Sequence, residues 1–426
     1  MSEHKWVNEI PPNRQIKEIS PSILRSFGLT KTNAVMVKEL SELRDNPPNI
    51  VIATPSKSLK FIQNYFKEQE LIKNTPYVMG LGVFQQLFSD PRLGNRKFLK
   101  PATIKFKNVY RPYRGEELNN KTLLVFRTGG IGDLLFIQPN LRYLKEKYPT
   151  CKINFACGPQ YQAMVKEWEC VDRVLDLPFQ YSDLKDADYH ALFEGVIERC
   201  KKAENTNAYH LFTEWLGLNL PDDKLLPKQN ANPEKIEFCK NKLKEWNVEP
   251  NNFILMQLRA SSPIRTPNPN LWINLINKLT DKGITVILTD SPKQADSIDE
   301  FIKQLKNKDK VFNFCRYSLS LDYSIALVKL ARLTVGTDSA MNHIAASLNT
   351  GCYGIYGPFP GSIRLSTYPY AKWVDAKKFC APCYIHSQSA CPQADRNGFS
   401  TCYDNLNLDE ICDDIIIYYN EIENRE

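Results

Sequence analysis

No segment of the 426 residues approaches the length of a membrane span. The opening Met1-Ser2-Glu3-His4-Lys5-Trp6 has no apolar core of a secretory leader. A cytoplasmic protein is therefore expected. Two nucleotide-site fingerprints are missing as well. The cluster Gly129-Gly130-Ile131-Gly132 is too short for G-x-G-x-x-G, and no Lys-Ser/Thr pair follows it. That disfavours a nicotinamide enzyme and a P-loop NTPase. Acidic residues are absent from Pro91 to Arg114, where every charge is basic: Arg92, Arg96, Lys97, Lys100, Lys105, Lys107, Arg111 and Arg114. Phe98, Phe106, Tyr110 and Tyr113 are interleaved with them. Such a stretch is either a solvated basic face or a strip that holds a polyanion such as nucleic acid or an anionic glycolipid.

What is present is ordinary in bulk and uneven in distribution. Hydrophobic residues make up 42% and charged residues 24%, as in soluble globular chains. Residues 1–116 hold 19 Lys and Arg against 10 Asp and Glu, a charge of +9, so the remainder carries −2 of the overall +7. The length implies two or three domains.

The chain is organised around Leu123 to Ile137. Leu123-Leu124-Val125-Phe126 is an apolar run, read as a parallel strand covered on both faces. Arg127-Thr128-Gly129-Gly130-Ile131-Gly132 is a turn in which three residues lack a Cβ and the backbone can approach a ligand. Leu134, Leu135, Ile137, Leu141 and Leu144 then recur at helical spacing up to Lys147. Asp133 stands at the helix start, either as its N-cap or as a general base beyond the carboxyl end of the strand.

Before this stretch, residues 1–20 read as a polar arm, Pro21 to Leu43 as one or two helices, and Asn49 to Thr54 as a buried strand. Ser56 to Gln69 reads as an amphipathic helix and Ile104 to Tyr113 as an alternating strand. No motif in the first 116 residues carries chemistry.

After it, strands and helices alternate to about Pro233, including strands at Ile153–Gly158 and Val171–Leu177 and helices at Ala191–Cys200 and Ala208–Leu216. Pro221 to Pro233 has the composition of a linker. A second alternating unit follows, with strands at Phe253–Leu258, Ile284–Asp290, Val311–Phe314, Leu333–Gly336 and, last, Tyr353–Pro358. In it Thr337-Asp338-Ser339 opens a helix bearing His343, so a hydroxyl, backbone N–H groups and the positive end of a helix dipole face one place. Caps and a core histidine are the simpler reading. The whole implies α/β architecture, two doubly wound domains with a cleft between them.

These motifs resemble glycosyltransferase family 9, the heptosyltransferase family. Arg127 to Asp133, Val335-Gly336-Thr337-Asp338-Ser339 with His343-Ile344-Ala345-Ala346, and Tyr356-Gly357-Pro358 carry the resemblance over roughly residues 121–415. It implies a GT-B fold of two Rossmann-like domains: an acceptor-side domain at 117–233 and a nucleotide-sugar domain at 250–375. A basic extension of unassigned function would occupy 1–116, and a Cys-rich segment with a C-terminal helix 376–426. The reaction implied is an inverting transfer of a heptose-like or other sugar from a nucleotide donor to a hydroxyl of a glycan or glycolipid. The alternatives are glycosylation of nucleic acid through residues 91–114, or a catalytically idle binding module.

By position, the resemblance makes Asp133 the base and places Asp338, Ser339 and His343 on the donor's sugar and diphosphate. Ser261, Ser262 and Arg265 would lie near the phosphates and Tyr317 over the adenine. Arg127, Thr128, Gly129, Gly130 and Gly132 would form the acceptor-side turn. Ala340 stands where the family usually has glycine. No catalytic metal is required where Arg and helix N-termini supply the charge. Separately, Cys380-Ala381-Pro382-Cys383 with Cys391 and Cys402 has the ligand types of a tetrahedral structural zinc site, with His386 as a substitute ligand. Disulfides and free thiols are the other readings, and the remaining eight cysteines are assigned to the core.

Overall fold

The protein is described from a computed structural model covering residues 25–27, 36–45, 50–63, 67–89, 98–385 and 391–423. The residues divide into two compact units. One draws on 1–130, 140–203 and 210–220; the other comprises 131–139, 204–209 and 221–426. Each holds a parallel sheet with helices, an α/β architecture.

In the first unit four parallel strands lie in the order Tyr189–Leu192, Thr122–Phe126, Lys152–Ala156, Arg173–Leu175. Leu123, Leu124, Val125 and Phe126 are fully buried, which is what a central parallel strand covered on both faces demands. A second, antiparallel sheet orders Leu99–Pro101, Ile50–Pro55, Tyr77–Gly80 and Phe179–Gln180. Side chains on a strand alternate between faces, and here the alternation serves two cores. Val51, Ala53 and Met79 pack with Phe84, Leu87 and Phe88 of the Leu81–Ser89 helix. Ile50, Ile52 and Val78 pack with Leu124, Phe126 and Leu175 of the parallel sheet. The first 116 residues are thus continuous with the unit that follows, and one edge strand of their sheet comes from beyond residue 116.

Two local expectations are corrected here. Ser56 to Gln69 is not a helix: Leu59–Gln63 and Lys67–Leu71 form an antiparallel ribbon, with Leu59 opposite Leu71. The run is too short for its apolar spacing to separate the two periods, and its aromatic and β-branched content favours strand. Ile104 to Tyr113 is not a strand either. Phe106–Asn108 is a 3₁₀ turn, and Pro112 only bridges to His190. Its aromatics are held by stacking: Phe106 on Tyr110 at 5.1 Å between centroids, and Tyr110 on His190 at 5.8 Å. The expected arm at 1–20 and most of the expected helices in 21–43 lie outside the described residues.

The second unit is a six-stranded parallel sheet in the order Val311–Asn313, Val286–Leu288, Ile254–Gln257, Leu333–Thr337, Gly351–Tyr356, Ala371–Asp375. Numbered within the unit this is 3-2-1-4-5-6, the Rossmann order, whose direction reverses between Ile254–Gln257 and Leu333–Thr337. The sixth strand, Ala371–Asp375, is an addition to the sequence reading; it is half-buried throughout and its mixed composition gives no apolar run. The C-terminal helix Leu408–Glu423 closes the core with Ile411, Ile415, Tyr418 and Tyr419, a helical stripe. The expected linker is partly tied down: Gln138 donates to Lys228 O at 2.8 Å and accepts from Lys228 N at 3.1 Å. No helix among the described residues is long and apolar enough to cross a membrane.

Candidate functional site

In open α/β sheets a ligand crevice forms where strand order reverses, beyond the carboxyl ends of the strands. In the second unit the segments leaving that point are Leu258 to Arg265 and Asp338 to Ser339, the two that sequence spacing singled out. The sheet brings them together. Arg265 Nη1 donates to the Asp338 carbonyl at 2.9 Å and lies 3.4 Å from Asp338 Oδ2, while its Nη2 donates to Ser261 Oγ at 2.9 Å. Ser339 occupies the N-cap position of the Ala340–Ser347 helix, but its side chain makes no capping bond; its Oγ donates instead to Gln257 Oε1 at 2.9 Å. Gly336 lies against the neighbouring strand, where a Cβ would stand 3.2 Å from Gln257 O. Ser262 is buried and Ser261 exposed. Tyr317 lies beyond the carboxyl end of Val311–Asn313, half-buried, its ring 5.6 Å from Phe314 and under Lys242 Nζ at 4.7 Å.

A residue that sequence reasoning missed completes this corner. Arg364, in the Ser362–Leu365 helix, is 5% exposed; its Nε lies 3.8 Å from Asp338 Oδ1 and its guanidinium 4.9 Å over the Phe359 ring. Two guanidiniums therefore face one buried carboxylate. Burial pushes the Asp338 carboxyl up, but the charges of Arg265 and then Arg364 act the other way and hold it below its ordinary value. With two cations, one carboxylate and the start of the Ala340–Ser347 helix, the corner carries surplus positive character and suits an anion. Arg364 follows the Gly357-Pro358 turn that had marked the motif, but nothing in its spacing tied it to Asp338.

The start of the glycine-turn helix belongs to this same unit. The helix runs Ile131–Lys147 with Pro139 inside it, and the unit division falls at Pro139. Its N-cap is Gly130, at φ +86°, a conformation that favours a residue without Cβ. Asp133 is therefore not the cap; it stands in the first turn, part-exposed. One residue earlier, Gly132 meets His343: a Cβ there would lie 3.0 Å from His343 Cδ2. His343 is buried, its Nδ1 bonded to the Tyr368 hydroxyl at 2.9 Å. Burial lowers its pKa to about 3 despite the nearby Asp338, so the ring is neutral at ordinary pH.

The other turn residues are committed to holding the turn. Buried Arg127 donates to Phe193 O at 2.8 Å, Gly129 O at 2.9 Å and Glu198 Oε1 at 2.6 Å. The Thr128 N–H donates to Glu194 Oε1, and Gly129 lies beside the Tyr161 hydroxyl, where a Cβ would stand 3.2 Å from it.

The basic aromatic stretch is partly folded in. Phe98 and Tyr113 are buried, Arg111 donates to Lys185 O at 2.7 Å and also to Ala187 O, Lys105 Nζ donates to Ser26 O, and Arg114 pairs with Asp45 at 2.8 Å. Arg92, Arg96 and Lys97 lie outside the described residues, as does His386.

Cys380, Cys383, Cys391 and Cys402 are neighbours. Burial pushes the Cys402 thiol up to about 12, with Cys391, Cys380 and Cys383 adding to the rise. Cys402 also lies against Gly357, where a Cβ would stand 2.8 Å from its Sγ. Among the described residues no group of three or more His, Cys, Asp or Glu is arranged to hold a metal. None of the twelve cysteines is in a disulfide, and the eight outside this segment are all buried.

Residues 202–387 match the model of glycosyltransferase family 9 (heptosyltransferase). Lipopolysaccharide heptosyltransferase 2 of Escherichia coli K12 is 29% identical over 289 residues, spanning 55% of this chain and 82% of its own length. A family 9 glycosyltransferase from Veillonella parvula superimposes with a TM-score of 0.55 at 12% identity, over 72% of this chain and 99% of that one. TibC of enterotoxigenic E. coli is a dodecameric, iron-containing heptosyltransferase solved with ADP-D-β-D-heptose. It gives a TM-score of 0.51 at 12% identity, covering 92% of this chain and all of its own, so the likeness of fold reaches into the first 116 residues.

Proposed function

Because this chain is a glycosyltransferase that carries a family 9 domain on a GT-B fold, we propose that it transfers a heptose-like sugar, with inversion, from a nucleoside-diphosphate donor to a hydroxyl of a glycan or similar acceptor. An ADP-linked heptose is the first donor to try, since TibC was solved with one. The observation that carries the reading is the contact between Gly132 and His343 within one unit. It puts the helix start bearing Asp133 beside the ring that neighbours Asp338.

In this reading Asp133 takes the proton from the acceptor hydroxyl. The freed oxygen forms a bond to the anomeric carbon from the face opposite the leaving group. The bond from that carbon to the diphosphate oxygen breaks, and its electron pair leaves with the nucleoside diphosphate. Arg265, Ser261 and the N–H groups opening the Ala340–Ser347 helix receive the growing negative charge. Asp338, hydrogen-bonded and ionised, orients Arg265 and accepts from the sugar hydroxyls, with Ser339 and His343 alongside. Ser262 shapes the phosphate loop and Tyr317 offers its ring to the nucleobase. Asp133→Asn is expected to lower transfer by about 10³-fold, within the range for loss of a general base. Unchanged turnover, measured by release of nucleoside diphosphate, would remove Asp133 from the mechanism.

For Cys380, Cys383, Cys391 and Cys402 we propose a structural metal. Cys402 lies against the Gly357 turn, and Cys380, Cys383 and Cys391 are near enough to act on its thiol; such ligands suit zinc, the reading from their spacing, and equally iron, the metal of TibC. The metal would cross-link the 380–402 segment and take no part in transfer. Elemental analysis of the purified protein is expected to find about one metal per chain, lost in Cys383→Ser. A metal-free protein of full thermal stability would end this part of the proposal. A cytoplasmic location fits both parts, since a reducing compartment keeps thiols free for metal.

A further inference from the structure

Four buried rings from four separate segments meet, with His343 among them. Phe136 comes from the helix start at 131–139, Tyr209 from the first turn of Ala208–Trp215, His343 from Ala340–Ser347, and Tyr368 from the segment before the sixth strand. All lie in the second unit. Phe136 packs edge-on to both His343 and Tyr209, with centroids 4.7 Å apart in each case and planes at 79° and 81°. Tyr209 is 5.7 Å from Tyr368 and 6.4 Å from His343. Through the rings runs a line of hydrogen bonds: the Tyr209 hydroxyl bonds the Tyr368 hydroxyl, which bonds His343 Nδ1 at 2.9 Å. The other edge of the imidazole faces Gly132, whose missing side chain leaves just enough room.

We propose that the Tyr209–Tyr368–His343 line is a positioning device for Asp133: it fixes the tilt of the imidazole, and the imidazole edge against Gly132 fixes the depth of the helix start. The proposal rests on the reading of Asp133 as the base. Three observations converge on it. The hydroxyl line ends on the ring nitrogen that points away from the helix, so its effect on the helix passes through ring orientation. The contact surface is backbone: at Gly132 there is no side chain to swing aside, so a displaced ring moves the chain itself. Finally, a neutral ring is what the start of a helix tolerates, because an imidazolium would repel the partial positive charge of the first-turn N–H groups. Tyr209, Tyr368 and Phe136 are buried and would act through His343; they are positioning residues.

Small displacements of a reacting group are costly: a misplacement of about 1 Å can reduce turnover by about 10²-fold. Tyr368→Phe keeps the ring packing and removes only the hydroxyl. It is expected to lower kcat by about tenfold while donor affinity stays within about twofold, a split that general loosening would not give. Gly132→Ala pushes on the same contact from the helix side and is expected to lower kcat by at least as much, again with donor binding kept. The decisive arm combines Tyr368→Phe with Asp133→Asn. Positioning that acts through Asp133 predicts no further loss in the double variant, whereas an independent role predicts the full additional tenfold. If Asp133→Asn alone retains turnover, the reading of the base fails whatever Tyr368 does. If Asp133→Asn abolishes turnover and Tyr368→Phe leaves kcat intact or changes donor affinity instead, the positioning proposal alone is overturned.

Discussion

The chain has two strand–turn–helix corners that each carry an aspartate near the helix start, and they treat it in opposite ways. After Thr122–Phe126 the turn is glycine-rich, the helix is capped by Gly130, and Asp133 stands part-exposed in the first turn. After Leu333–Thr337 the turn is tight, and Asp338 is buried between Arg265 and Arg364. The lesson is about division of labour. A carboxylate held between two guanidiniums below its ordinary pKa is a fixed anion that organises cations and hydroxyls. A part-exposed carboxylate can exchange a proton with a hydroxyl. In the proposed reading, two similar motifs take two roles through what surrounds them.

The largest effect that would break this contrast is on stability. Asp338→Ala leaves two guanidiniums facing no carboxylate, and removing one partner of a buried ionic group costs about 3–5 kcal/mol. Asp133→Ala removes a first-turn acid from a helix start, worth about 0.3–1 kcal/mol. Denaturant unfolding of the two variants side by side is expected to separate them by that margin; equal losses would mean that the two corners are alike.

A smaller effect sharpens the comparison through pH. Each unit buries one histidine with a lowered pKa, both chiefly by desolvation: His343 to about 3 and His190 to about 4, from an ordinary 6.5. Between those values and 6.5 the unfolded chain binds protons that the folded chain does not, so stability rises with pH and falls on acidification through this window. Each ring contributes at most about 1.4 kcal/mol per pH unit. Asp338 works in a lower window. Its contribution is present above the ordinary carboxylate range and is lost as pH falls through its depressed folded value. His343→Gln is thus expected to flatten melting temperature against pH between 6.5 and 4, with His190→Gln removing the residual slope. An unchanged slope in both would contradict neutral, buried rings.

The two regions also differ in how much of them could be read from the chain. Strands such as Phe253 to Leu258 and Leu123 to Phe126 are legible because a buried parallel strand needs an unbroken apolar run. The meeting of Arg265 with Asp338 and Ser261 is legible because these residues follow the carboxyl ends of such strands. Ala371–Asp375 is not, because a half-buried edge strand can carry Lys, Trp and Asp. Arg364, Tyr368 and Tyr209 meet the site only through tertiary packing, across separations that no local period spans. In the first 116 residues the short runs at Ser56 to Gln69 and Ile104 to Tyr113 carry an apolar spacing that does not match their folded state. There the deciding factor is pairing with distant segments, as when Tyr77–Gly80 pairs with Phe179–Gln180.

The most direct test of the division of labour is donor affinity, measured by calorimetry with an ADP-linked heptose on Asp133→Asn and Asp338→Asn in parallel. The account predicts that Asp133→Asn binds within about twofold of the unaltered protein, as expected for a group acting only in the transition state. It predicts that Asp338→Asn binds at least about tenfold more weakly, the equivalent of one charge-assisted hydrogen bond. Weakened binding in Asp133→Asn together with full binding in Asp338→Asn would contradict it.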